Sequence, residues 1–80
     1  MTWDEVLQQL KMITGRTFDV DPAELSAATC AQDVDGWDSL AHSTLLIRVR
    51  KAFNTDLDAD AANEAQNLGD LAHLVMEARK

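Results

Sequence analysis

Residues 36–53 read Gly36-Trp37-Asp38-Ser39-Leu40-Ala41-His42-Ser43-Thr44-Leu45-Leu46-Ile47-Arg48-Val49-Arg50-Lys51-Ala52-Phe53, and this stretch decides the fold. Its first residues close a long polar segment, and the rest is the clearest helix in the chain, lasting to about Phe53. Leu45, Leu46, Val49 and Phe53 recur at intervals that fit 3.6 residues per turn, so they share one side and supply a buried face. Leu40 and Ile47, seven apart, fall on the opposite side. Single exposed apolar residues are ordinary on a protein surface, but two on one helix face suggest a binding surface.

Upstream, from Arg16 to Asp38, no helical period persists, and Phe18, Val20, Leu25, Cys30 and Val34 stand singly among polar residues. The pattern predicts a long ordered loop pinned by apolar anchors, with Pro22 marking the one candidate turn because proline suits a first helical position. Loops of this length in a compact domain are uncommon and usually functional. Before the loop, Thr2 and Glu5 have the spacing of a capping box, and Trp3, Val6, Leu7, Leu10 and Ile13 follow at helical intervals with Gly15 as the natural stop.

Downstream, a polar turn after Asn54 leads to Leu57 and then to a short Ala-rich helix over residues 58–65, capped by Asp58. Its weak hydrophobicity predicts loose packing. Asn67 reads as the cap of a last helix whose buried stripe is Leu68, Leu71, Leu74, Val75 and Ala78, with Arg79 and Lys80 at the negative end of its dipole. The expected fold is all-α: a small four-helix bundle of three longer helices and one short third helix, with a long loop between the first two. A single domain over residues 1–80 accounts for the chain.

Composition narrows the function. A chain of 80 residues buries only a little over about 60% of its unfolded surface, which leaves little room for an enclosed active site. Against 7 basic residues stand 14 acidic ones, and the resulting charge of -7 repels phosphate backbones and anionic membranes, so no nucleic-acid or membrane partner is expected. Two Phe, two Trp and no Tyr offer no stacking platform for single strands. A lone cysteine, Cys30, cannot form an internal disulfide, and no signal segment or bilayer-length apolar run is present, which makes a cytoplasmic location the default expectation; a monomer is expected as well.

Asp38 and Ser39 stand where the loop meets the helix, and both residue types favour that place simply because they cap. Asp38 suffices as the cap, which leaves Ser39 one position inside with its hydroxyl free to face solvent and open to covalent modification. A phosphodiester on Ser39 would sit at the unpaired amides and positive end of the helix. A hydrolase nucleophile is not indicated, because no Gly-x-Ser-x-Gly elbow is present and only His42 and His73 could serve as bases.

The run Asp35-Gly36-Trp37-Asp38-Ser39-Leu40, followed by an amphipathic helix ending at Phe53, resembles the attachment motif of acyl carrier proteins. Asp-Ser-Leu alone is a weak tripeptide, but the resemblance covers the whole chain in helix order, length and acidity. It implies a carrier without catalytic residues, in which a phosphopantetheinyl transferase moves 4'-phosphopantetheine from coenzyme A to Ser39. An acyl-loading ligase or transferase would then place a thioester on the arm, and downstream acyl-processing enzymes would act on it. Asp38 matches the acidic residue that helps define the site for the transferase, and Leu40 matches the apolar residue that partners read.

The sequence departs from that family beside Leu40. Carriers of fatty acid synthesis usually present Glu and Asp there, whereas this helix carries Ser43, Thr44, Arg48, Arg50 and Lys51. Ile47, Arg48, Arg50 and Lys51 are therefore candidate contacts for a dedicated partner with complementary acidity, in a specialised fatty acid, polyketide or lipid pathway, because charge pattern sets encounter rate and excludes wrong partners. A peptidyl or aminoacyl carrier is the alternative within the class, although Asp before the Ser leans toward acyl cargo.

Two readings of other classes are an unmodified helical interaction domain and a calcium-binding module. Asp56, Asp58, Asp60 and Glu64 crowd together, but counting from Asp56 the sixth position is Ala61 where glycine is required and the twelfth is Asn67 where a bidentate Glu is required. No metal site is expected. His42 reads as a core-edge residue with one satisfied ring nitrogen, which could border a cavity, and Cys30 reads as a small buried anchor in the loop.

Overall fold

The structure is a computed structural model that describes residues 2–78. Four α-helices form among the described residues: α1 (Trp3–Phe18), α2 (Ser39–Phe53), the short α3 (Ala59–Glu64) and α4 (Leu68–Ala78). Each begins where the sequence supplies a cap. Thr2 and Glu5 close the expected capping box on α1, Asp38 caps α2, Asp58 caps α3, and the Asn67 carboxamide accepts from the Asp70 amide at 2.8 Å to cap α4.

The helices pack around one core because their apolar stripes meet. α1 lies against α4 and α2, and α3 bridges α2 and α4. Val6, Leu10, Leu45, Val49, Leu68, Leu71, Ala72 and Val75 are essentially sealed from solvent, with Phe53, Leu25 and Leu57 close behind. The predicted stripe of α2 is buried in full. On α4 the stripe is shifted: Ala72 replaces Ala78, which is exposed at the helix end, and Leu74 is half-buried. Ala62 of the weakly hydrophobic α3 is fully buried, and Asp60, Asn63 and Glu64 of that helix are exposed. The expected placement of Arg79 and Lys80 lies outside the described residues.

Gly15 does not stop α1. The helix runs three residues further to Phe18 and ends on Asp19, whose backbone turns left-handed at φ 57° and ψ 50° while the Val20 amide donates to the Gly15 carbonyl at 2.9 Å. Asp tolerates that conformation better than most side chains, so glycine is not needed at the stop. Gly15 serves packing instead, since a Cβ there would lie 2.6 Å from the Val20 carbonyl oxygen.

The loop between α1 and α2 is ordered by two single-turn 3₁₀ helices, Pro22–Glu24 and Ala31–Asp33. The first starts at Pro22 as the sequence indicates; the second carries no such marker. Leu25 and Val34 are buried anchors, and Phe18 and Val20 pack half-buried against the core. The loop also satisfies the start of α4: the Leu68 and Gly69 amides donate to the carbonyls of Thr29 (3.1 Å) and Ala27 (2.9 Å). Cys30 is not a buried anchor. It is half-buried, and its thiol and backbone amide both donate to the Asp33 carboxylate, at 3.2 and 3.1 Å.

Candidate functional site

The turn into α2 is built from Gly36 onward. Gly36 adopts φ +87°, a conformation that side chains rarely enter, and so reverses the chain between Val34 and Asp38. Asp38 is extended, and its carboxylate accepts from the Ala41 amide at 2.8 Å while its carbonyl accepts from the His42 amide at 2.8 Å. Capping is thus complete before Ser39 is reached. Ser39 is the first helical residue and is exposed, and its hydroxyl has no hydrogen-bond partner among the described residues.

The amides of Ser39 and Leu40 belong to the first turn, where no intrahelical carbonyl is in reach, so they present donors beside the hydroxyl. A phosphate attached to Ser39 Oγ would meet those donors and the positive end of a helix of 15 residues. The chain's own residues therefore fit a phosphodiester at this atom.

An aromatic brace holds the turn. The Trp37 indole stacks on Phe18 at the end of α1, with centroids 5.2 Å apart and planes inclined by 23°, and on His42, at 6.0 Å and 21°. Its Nε1–H donates to His42 Nδ1 at 3.0 Å. An indole N–H can only donate, so Nδ1 accepts and the ring proton belongs on Nε2, which lies 3.1 Å from the Ala62 carbonyl of α3. Both nitrogens are satisfied, where one was expected, because the second partner comes from a helix twenty residues further along the chain.

Beside Ser39 a cleft of about 540 Å³ opens, with Trp37, His42 and Ser43 on one wall and Asn63 and Gln66 on the other. The sequence singled out neither Asn63 nor Gln66. Exposed amides in a polar stretch carry no periodic signal, and only the return of the chain through α3 brings them opposite Ser39.

Leu40 is 80% exposed and Ile47 is 52% exposed, both outward as the helical wheel requires. Lys51, one turn beyond Ile47, continues the same exposed face. The two arginines diverge from it. Arg48 Nη1 donates to Thr17 Oγ1 of α1 at 3.3 Å, and Arg50 Nη2 donates to the Leu57 carbonyl at 2.9 Å, bracing the segment before α3. Leu40, Ile47 and Lys51 thus form one strip, flanked by the two guanidinium groups.

Comparison with known proteins agrees with this arrangement. No protein-family model matches the chain. An acyl carrier protein from Phenylobacterium zucineum is 27% identical over 73 residues, which cover 91% of this chain and 92% of that protein. The solution NMR structure of a holo acyl carrier protein from Geobacter metallireducens superposes with a TM-score of 0.81 at 32% identity, covering 92% of this chain and 85% of the other. The acyl carrier protein of Enterococcus faecalis, 20% identical, shares the fold with a TM-score of 0.76 over 98% of this chain and 99% of its own. A four-helix bundle with an unengaged serine at the start of its second helix, and a relative at 32% identity over nearly its whole length, place this chain in the acyl carrier protein family.

Proposed function

We propose that this chain carries acyl groups on a 4'-phosphopantetheine arm attached to Ser39 Oγ. The observation that carries the reading is the exposed, unpartnered Ser39 hydroxyl, one residue inside a helix start that Asp38 has already capped. In the proposed modification a phosphopantetheinyl transferase forms the bond from Ser39 Oγ to the phosphorus of the arm. The serine proton is lost and the nucleotide part of coenzyme A departs. The bound arm would supply a thiol for thioester formation; the chain itself positions the attachment atom and presents a docking face. The Geobacter metallireducens relative, described as a holo protein, supports the same reading.

Asp38 is the proposed transferase determinant and Leu40 the proposed partner contact, extended by Ile47 and Lys51 and flanked by Arg48 and Arg50. This cationic margin on a chain of net charge -7 favours loading and processing enzymes with an acidic docking surface, in a specialised pathway rather than general fatty acid synthesis. The chain is proposed to supply no catalytic group of its own.

Incubation with coenzyme A and a broad-range transferase, followed by intact-mass measurement, tests the attachment. The protein should gain one arm and Ser39→Ala none; an unchanged wild-type mass would overturn the assignment. Efficient malonyl loading and elongation by general fatty acid synthase enzymes would count against the specialised pathway.

A further inference from the structure

The cleft beside Ser39 differs from a simple apolar slot, and its differences point to the kind of cargo it takes. One way from the cleft into the core runs between α2 and α3, whose His42 and Asn63 line it. That seam is crossed by His42, which stands on α2 three residues after Ser39 and is bonded through Nε2 to the Ala62 carbonyl of α3 at 3.1 Å. The ring cannot swing aside freely, because Trp37 donates to its other nitrogen at 3.0 Å and stacks on it, and Trp37 is itself stacked on Phe18. Beyond the ring Leu46 lies one turn further on α2, and across the seam Ala62 is sealed, while Leu71 of α4 lines the floor of the cleft itself.

An alkyl chain pushing into this seam would break both bonds of His42. It would leave the imidazole N–H and the Trp37 indole N–H without partners in apolar surroundings, where an unmade hydrogen bond is costly, while the Ala62 carbonyl would keep the Ala65 amide at 3.2 Å. The outer cleft offers a different chemistry. The Asn63 and Gln66 carboxamides are exposed, and neither has a hydrogen-bond partner among the described residues, so each presents both donors and an acceptor toward the space beside Ser39.

Resting on the carrier reading above, we infer that His42 is a latch that shuts the α2–α3 seam, so that the cleft serves short, oxygen-bearing acyl groups at its polar rim and excludes long alkyl chains from the core. The latch acts by position and hydrogen bonding, and takes no part in bond making.

Acetyl, acetoacetyl and dodecanoyl groups, each loaded on Ser39 from the corresponding acyl-coenzyme A and verified by intact mass, provide the test. Failure to gain mass would overturn the carrier reading itself, before any cargo is compared. In the loaded wild type the three melting temperatures should agree within about 2 °C, well below the change that added core burial produces in a domain this small. The backbone amide resonances of Leu46 and Ala62 should not move with chain length, and acetoacetyl should shift the side-chain amide resonances of Asn63 and Gln66. A melting temperature that rises with chain length, together with moved Leu46 and Ala62 resonances, would overturn the latch. Unmoved Asn63 and Gln66 side chains under acetoacetyl would overturn the polar-rim assignment. His42→Leu keeps bulk but not the bonds, and in it dodecanoyl should raise the melting temperature by about 4 °C or more and move the core resonances. A folded His42→Leu that still excludes dodecanoyl would overturn the role of His42, and should that variant not fold, the wild-type length series decides alone.

Discussion

Replacing Gly15 with Ala sets two effects of opposite sign against each other. Within a helix, alanine is preferred to glycine by roughly 0.5–1 kcal/mol because it restricts the unfolded chain, so helix propensity alone predicts a more stable protein. The tertiary contact predicts the reverse. The new methyl would lie 2.6 Å from the Val20 carbonyl oxygen and 3.1 Å from Pro22 Cγ, so backbone rather than a flexible side-chain tip must give way. Retreat of Val20 strains its 2.9 Å bond to the Gly15 carbonyl and displaces Pro22, which opens the first turn of the loop. Overpacking of this kind costs about 1–3 kcal/mol, and a weakened hydrogen bond adds about 1 kcal/mol. The contact therefore wins, and Gly15→Ala should lose roughly 1–3 kcal/mol, lowering the melting temperature by about 4 °C or more. Urea unfolding followed by circular dichroism measures it, with an unchanged slope showing that the same surface is exposed. A variant equal to or more stable than wild type would refute the packing argument.

Three further outcomes follow from the caps. Asp38→Ala removes the acceptor for the Ala41 amide and should cost about 1 kcal/mol. Asp38→Asn keeps an acceptor and should stay within about 0.5 kcal/mol of wild type yet accept the arm more slowly, and equal rates for the two proteins would show that the transferase does not read the charge. The carboxyls of Glu5 and Asp33 are both held below the usual carboxylate range, Glu5 by the Thr2 amide and then its hydroxyl, Asp33 by the Cys30 amide and then its thiol. Depressed folded values mean that their stabilisation is present above the unfolded values and fades as pH falls through the folded ones, from about pH 5 downward. Glu5→Gln with Asp33→Asn should flatten the fall of the urea midpoint in that range, and an unchanged acid slope would remove both caps from the account.

Much of this protein was legible as local pattern. The helix after Ser39, its buried side at Leu45, Leu46, Val49 and Phe53, and the caps at Thr2, Asp38, Asp58 and Asn67 depend on residues within a few positions of one another, and short-range sterics and hydrogen bonding act over that distance. The separation of Asp38 as cap from Ser39 as free hydroxyl belongs with them. Other features depend on segments that meet only after folding. Whether Gly15 ends a helix or seats a loop turns on where Val20 returns, and the second bond of His42 requires the Ala62 carbonyl from α3. The cleft requires Asn63 and Gln66 opposite Ser43. Neither propensity nor periodicity reports such contacts, because burial and hydrogen-bond satisfaction across elements are properties of the packed chain, and there the tertiary structure alone decided the outcome.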